Sequence, residues 1–128
     1  MNAPRVLSVG QCGMDHGSIA RYLLNQFGAM TIRADTHQEA LAELQAHHID
    51  LVLVNRVSDD DGSLGLDLIR TLKNEATFVD IPVMLVSNFA EAQADAMTLG
   101  AIAGFGKAQL RDKATQEKLL NIFAQVAT

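Results

Sequence analysis

Two short runs of apolar residues, LVLV at 51–54 and IPVMLV at 81–86, constrain the fold of this chain most strongly. Neither run alternates with polar residues, and such continuous runs are typical of strands covered on both faces. Both are much too short to cross a bilayer as helices. The runs therefore predict central strands of a sheet that lies between two layers of helices.

The rest of the chain alternates between strand-like and helical segments. Further strands are predicted at 5–9, 30–34 and 101–105, from their β-rich composition and flanking turns. Five helices are predicted from apolar residues at helical spacing and from capping patterns: from about 15 to 27, from a Thr36–Glu39 capping box, across 66–72, from an Asn88–Glu91 capping pair to 99, and over 112–127. Five strands that alternate with five helices predict an α/β fold, a doubly wound five-stranded parallel sheet with helices on both faces.

Composition limits the classes of protein that this chain can represent. Its 128 residues suit a single domain, and 48% of them are apolar, which favours a packed core over disorder. The net charge of −5 gives no electrostatic basis for binding nucleic acid. The single cysteine excludes an internal disulfide, and no histidine pair has metal-ligand spacing. We expect one cytoplasmic domain over 1–128, without a membrane segment, a metal or a cofactor.

Polar residues and glycines follow the predicted strands where chemistry is expected. In open parallel sheets, functional sites lie at the carboxyl ends of the strands. These positions are 10–13, 55–63, 87–88 and Lys107.

The spacing of these residues resembles the receiver domain of bacterial response regulators, and the resemblance spans essentially the whole chain. Its most specific part is GAIAGFGK at 100–107, where Lys107 follows a Gly-Ala pair at the family's spacing. Ser87, at the end of IPVMLVS, matches the family's Ser/Thr after the fourth strand. DLVLVN at 50–55 matches the third strand. The resemblance implies a flavodoxin-like topology and a role in two-component signal transduction.

The residues that carry phosphotransfer in this family are replaced. The resemblance places the phospho-acceptor aspartate at Asn55, and a neutral amide cannot form an acyl phosphate. It places the acidic pair that holds magnesium at Gly10 and Gln11, although magnesium prefers carboxylate oxygens. We therefore expect a pseudo-receiver, which is not an enzyme, with a degenerate acceptor pocket made of Gly10, Gln11, Asn55, Ser87 and Lys107.

Two further departures concern the pocket and the switching residue. The loop after the third strand is about two residues longer than usual and carries an acidic run at 59–61, which could pair with Lys107, as could a bound anion. The family's switch aromatic falls at Gly104, and Phe105 is one residue late. Because successive strand side chains point to opposite faces, Phe105 is not expected to replace it.

These features favour a signalling module that binds partner proteins without control by phosphorylation. The resemblance implies a surface made of the fourth helix, fifth strand and fifth helix, for which the candidate residues are Phe89, Met97, Phe105, Lys113 and Lys118. A histidine kinase, an output domain or an adaptor is the expected partner, and the same surface could form a homodimer.

One alternative stays open at this stage. A nucleotide- or cofactor-binding domain of the flavodoxin or Rossmann type could use the glycine-bearing loop from Gly10 to Gly17. The spacing of its glycines is GxxGxxxG rather than the GxGxxG of dinucleotide-binding loops.

Overall fold

All five predicted strands and all five predicted helices are present in the computed structural model, which describes residues 3–126. In chain order they are β1 (Arg5–Val9), α1 (Gly13–Phe27), β2 (Met30–Ala34), α2 (His37–Ala46), β3 (Leu51–Asn55), α3 (Gly65–Lys73), β4 (Val83–Val86), α4 (Ala90–Thr98), β5 (Ile102–Phe105) and α5 (Lys113–Val126), with a short 3-10 turn at Lys107–Gln109. The strands are parallel in the order β2-β1-β3-β4-β5. The predicted doubly wound, flavodoxin-like fold is thus confirmed.

Strand side chains alternate between two buried clusters, as the period of two in a β-strand requires. Leu7 and Leu85 belong to the cluster that packs against α2, α3 and α4. Val6 and Leu53 belong to the cluster beneath α1 and α5. The first four residues of β3 and all of β4 are buried, which confirms the prediction for 51–54 and for 83–86. Ile81 and Pro82 precede β4 and are only half-buried.

The starts of the first two helices follow from local capping. Helix α1 begins two residues earlier than predicted, because the Cys12 sulfur accepts a hydrogen bond from the Asp15 backbone N–H at 3.4 Å. The predicted N-cap of α2 is confirmed, because Thr36 Oγ1 accepts a hydrogen bond from the Glu39 N–H at 3.1 Å. The return bond differs from that of a capping box, because Glu39 Oε1 accepts from the Asp35 N–H at 3.2 Å. Residue 127, the predicted end of the last helix, lies outside the described residues.

A bulge in β5 changes the geometry of the sheet edge. Met84 pairs with Ile102 and Val86 pairs with Phe105, so Ala103 and Gly104 together face the single residue Leu85. The ladder is interrupted there, and the backbone groups need other partners. The side chain of Gln93, from α4, supplies these partners.

Candidate functional site

A cavity of about 330 Å³ lies at the carboxyl ends of β3 and β4. Three of the five predicted pocket residues, Asn55, Ser87 and Lys107, line it together with Arg56 and Asp59. The other two predicted residues, which follow β1, do not line it. The structure therefore brings most of the predicted pocket together, with basic and amide groups and a single carboxylate, that of Asp59, in its lining.

The Asn55 side chain ties the end of β3 to the end of β1. Its Nδ2 donates hydrogen bonds to the Gly10 carbonyl oxygen at 3.0 Å and to the Val57 carbonyl oxygen at 2.8 Å. Both protons of the amide are thus used. A carboxylate has no proton to donate, so the amide performs a structural task here that an aspartate could not perform.

The loop after β3 covers Gly10. Gly10 has a φ of 76°, and a Cβ added to it would lie 3.1 Å from the Ser58 Cα atom. Ser58 is buried, its Oγ donates to the Asp35 carbonyl oxygen at 2.9 Å, and the Asp59 N–H donates to the Gly10 carbonyl oxygen at 2.9 Å. Sequence reasoning did not predict that Ser58 packs against Gly10, although the greater length of this loop was a signal that it reaches further across the edge of the sheet.

Magnesium does not fit positions 10, 11 and 55, because they offer no carboxylate. Gln11 is 2% exposed, and neither polar atom of its amide has a hydrogen-bond partner among the described residues. Gly10 contributes no side chain, and Asn55 contributes only an amide. Within residues 3–126, no three side chains of His, Cys, Asp or Glu come together as a metal cluster.

Lys107 pairs with a carboxylate that the sequence did not suggest. Its Nζ lies 2.6 Å from Asp15 Oδ2, which belongs to the first turn of α1. The suggested pairing with the acidic run at 59–61 is wrong, because helix α1 presents a carboxylate directly to the end of β5. The hydrogen bond from Lys107 is the main cause that lowers the pKa of Asp15 below its usual 3.8.

The Lys107–Asp15 pair predicts acid sensitivity. Because the folded-state pKa of Asp15 is lowered, the ionised carboxylate contributes its full stabilisation at pH values above 3.8. This stabilisation is lost as the pH falls through the folded-state pKa. When the pH is lowered from 7 to below about 3, the free energy of unfolding should therefore fall less in Asp15→Asn than in the wild type. Urea denaturation at both pH values measures this, with Asp60→Asn in the exposed loop as the control. Equal losses in the wild type and Asp15→Asn would contradict the prediction.

Ser87 positions the start of α4. Its Oγ accepts a hydrogen bond from the Phe89 N–H at 3.1 Å, and its own N–H donates to the Phe105 carbonyl oxygen at 3.0 Å. The predicted Asn88–Glu91 capping pair is wrong, because the N-cap of α4 is Phe89, which makes no side-chain capping bond.

The five candidate partner residues separate into two groups. Phe89 is 57% and Met97 is 50% exposed, and Lys113 is also exposed. The expectation that Phe105 contributes to a surface is wrong: it is 2% exposed and packs in the cluster beneath α1 and α5. Lys118 is half-buried, and its Nζ donates to the Gly104 carbonyl oxygen at 2.9 Å.

Gln93 of α4 bridges the interrupted edge between β4 and β5. Its Nε2 donates to the carbonyl oxygens of Leu85 at 2.8 Å and Ser87 at 3.1 Å, and its Oε1 accepts from the Gly104 N–H at 2.9 Å. A Cβ on Gly104 would collide with the Leu85 carbonyl oxygen. The position that resembles the family's switch aromatic therefore has no room for any side chain. Sequence reasoning missed Gln93.

Structural comparison places this architecture among response regulator receiver domains. A response regulator from Thermotoga maritima is 25% identical, with a TM-score of 0.78 over 96% of this chain and 99% of that chain. A response regulator receiver protein from Pseudomonas putida is 24% identical, with a TM-score of 0.72 over 98% of both chains. A protein from Chloroflexus aurantiacus J-10-fl reaches a TM-score of 0.85 at 17% identity, over 96% of this chain and 99% of that chain.

The sequence itself gives no further assignment. No protein-family model matches it, and no curated protein matches it. Among the described helices, none combines the length and the apolar character that a membrane crossing needs. The similar structures do not favour the nucleotide-binding alternative, and the Gly10 N–H in its proposed loop already donates to the Ala34 carbonyl oxygen at 2.8 Å instead of being free for a phosphate.

Proposed function

We propose that this chain is a receiver-like signalling module that acts through protein–protein interaction without phosphorylation. The fold supports a role in signal transduction. The proposal that phosphorylation is not involved rests on Asn55, whose amide replaces the acceptor carboxylate and donates to two backbone carbonyls. An amide offers no nucleophilic oxygen for phosphoryl transfer, and the neighbouring positions 10 and 11 offer no carboxylate for magnesium.

Incubation with acetyl phosphate and magnesium should leave the intact mass of the protein unchanged. The reason is that no aspartate occupies the end of β3, so no acyl phosphate can form there. Mass spectrometry measures the outcome, with an aspartate-containing receiver domain treated in parallel as the positive control. An added phosphoryl group that maps to residues 50–63 would overturn the proposal.

The proposed binding surface lies on α4, β5 and α5, where Phe89, Met97 and Lys113 are exposed. The Gln93 bridge holds α4 against β4 and β5, and Gly104 leaves no room for an aromatic switch. A ligand shifts a conformational equilibrium only if it binds the two states differently. We therefore propose one dominant conformation with a surface that is formed before any partner arrives.

A pull-down from native lysate tests this surface. Wild-type protein should capture the same partner with and without phosphodonor, and Met97→Glu should lose it, because a charge would replace an exposed apolar anchor. A histidine kinase, an output domain or an adaptor is the proposed class of partner. Capture that depends on the phosphodonor would contradict constitutive binding. Sedimentation of wild type and Met97→Glu tests the proposed homodimer separately.

A further inference from the structure

A groove beside α4, which shares Phe89 with the proposed binding surface, has features that the proposed function does not explain. Between α3 and α4 lies a groove of about 320 Å³. Its apolar lining is Leu64, Leu66, Phe89 and Ala92, and its acidic rim is Glu91 and Asp95. Arg56 completes the lining, and we call these seven residues the α3–α4 groove. Met97 is not part of this groove. It follows Asp95 by two positions, so its side chain projects about 200° further round α4.

Two of its apolar residues occupy positions where apolar residues are unfavourable. Leu64 and Phe89 are the N-caps of α3 and α4, and neither makes a side-chain capping bond. Ser, Thr, Asp and Asn are preferred at this position because their side chains satisfy free backbone N–H groups. Instead, Leu64 is 51% and Phe89 is 57% exposed. Residues that break a local rule without a gain in packing are expected at functional sites.

The exposed ring of Phe89 is also held in place. The Arg56 guanidinium carbon lies 4.9 Å from the centroid of the ring, a cation–π contact. Arg56 lines the groove as well as the cavity at the carboxyl ends of β3 and β4, so the stacked pair forms the wall between them. An apolar anchor that is already ordered loses little conformational entropy on binding.

The charge of the groove specifies the chemistry of the occupant. Glu91 and Asp95 are one helical turn apart, and like charges at this spacing repel each other. Neither forms an ion pair within residues 3–126. The cation that lines the groove, Arg56, lies over the Phe89 ring and forms no ion pair with either carboxylate within residues 3–126. A cation from outside would therefore relieve the repulsion without displacing an existing partner.

We infer that the α3–α4 groove binds a basic amphipathic helical segment of a partner protein. A large apolar side chain of that segment would fill the space between Leu64 and Phe89, and a Lys or Arg would pair with Glu91 and Asp95. The volume of the groove suits one or two anchoring side chains rather than a buried helix. This inference rests on the proposed function and adds to it both a surface and the chemistry of the partner.

Because the chain has no tryptophan, a peptide that contains one gives a clean fluorescence signal. The probe is an amphipathic peptide of about 16 residues, more than four helical turns, with leucines on one face, lysines on the other and one tryptophan among the leucines. It should bind the wild type saturably with a blue-shifted emission. The same peptide with glutamate in place of every lysine should bind at least about tenfold more weakly.

Variants localise the binding. Glu91→Lys/Asp95→Lys and Phe89→Ser should each weaken it by about tenfold or more. Glu75→Lys/Glu117→Lys makes the same change in net charge at exposed positions elsewhere and should stay within about twofold, as should Met97→Ser on the other side of α4. Circular dichroism confirms that each variant is folded, and amide NMR shifts of the wild type should map to 64–66 and 89–95.

Each of these results would overturn the inference: equal binding of the basic and acidic peptides, NMR shifts confined to other surfaces, or equal weakening by the two charge-reversal variants. A wild-type dimer that Phe89→Ser converts to monomer would also overturn it, in favour of a second copy of this chain. Failure here is distinguishable from failure of the proposed function. If a partner is lost with Met97→Glu but retained with Glu91→Lys/Asp95→Lys, only the inference about the groove is rejected. Phosphorylation within 50–63 would instead reject the proposed function.

Discussion

Gly104→Ala should lower the free energy of unfolding by about 2–3 kcal/mol, although it adds only one methyl group. The Cβ would collide with the Leu85 carbonyl oxygen, a backbone atom of the neighbouring strand, and would crowd Gln93 Oε1. Relief would require β5 to move away from β4, which would lengthen the three hydrogen bonds of the Gln93 amide. Urea denaturation monitored by circular dichroism measures the change.

The same substitution elsewhere provides a matched control of opposite sign. At Gly17, inside α1, a Cβ would meet only the end of the Arg21 side chain at 3.6 Å. Gly17→Ala should therefore raise stability by about 0.5–1 kcal/mol, because alanine favours the helix and reduces the entropy of the unfolded chain. If Gly104→Ala were as well tolerated as Gly17→Ala, the edge of the sheet would be able to accommodate a side chain, and the argument for one dominant conformation would fail.

Gln93→Leu tests the other half of the same contact. Leucine is similar in size but neither donates nor accepts hydrogen bonds, so the Gly104 N–H and the Leu85 carbonyl would lose their partner at the bulge. The expected cost is about 2 kcal/mol, mainly the desolvation of these unpaired backbone groups. Gln116→Leu on the exposed face of α5 is the control. A variant that unfolds at the same urea concentration as the wild type would contradict the bridging role.

The fold was predictable because it depends on patterns that are local in sequence. The continuous apolar runs at 51–54 and 81–86 required strands covered on both faces, and β3 and β4 confirm this for 51–54 and 83–86. The Thr36–Glu39 pair located the start of α2 because both capping partners belong to the same turn. The end of β5 was harder, since its bulge changes the register without changing the composition. An isolated glycine within a strand, Gly104, was a signal for a bulge.

The site was less predictable because its contacts join residues that are far apart in the chain. Sequence placed Asn55 and Lys107 at the edge where they lie, but not their partners, the Gly10 carbonyl and the Asp15 carboxylate. Which carboxylate reaches a lysine depends on how a helix packs on the sheet, and spacing does not encode that. Phe105 was misassigned for a similar reason: its face of the strand was known, but the depth of its burial was not.

Asn55→Asp restores the acceptor carboxylate of the family, yet it should destabilise this protein by about 2 kcal/mol at pH 7. The oxygen that replaces Nδ2 would face the carbonyl oxygens of Gly10 and Val57 at 3.0 and 2.8 Å with no proton between them. The loss combines two unpaired carbonyls with repulsion between oxygens. Acetyl phosphate should still leave the mass of the variant unchanged, since residues 10 and 11 supply no carboxylate for magnesium.

The dependence on pH separates this explanation from a general loss of packing. The two carbonyls favour the protonated form of the introduced aspartate, so its folded-state pKa should lie above its unfolded-state value of about 3.9. The penalty is therefore complete above the folded-state pKa and diminishes as the pH falls through it, because the protonated carboxyl can donate to one carbonyl. Asn121→Asp, exposed in the middle of α5, is the matched control and should change stability by less than about 0.5 kcal/mol. If Asn55→Asp were equally destabilising at pH 3 and pH 7, or if it became phosphorylated without loss of stability, the amide would not be the structural tie between β1 and β3 that its hydrogen bonds indicate.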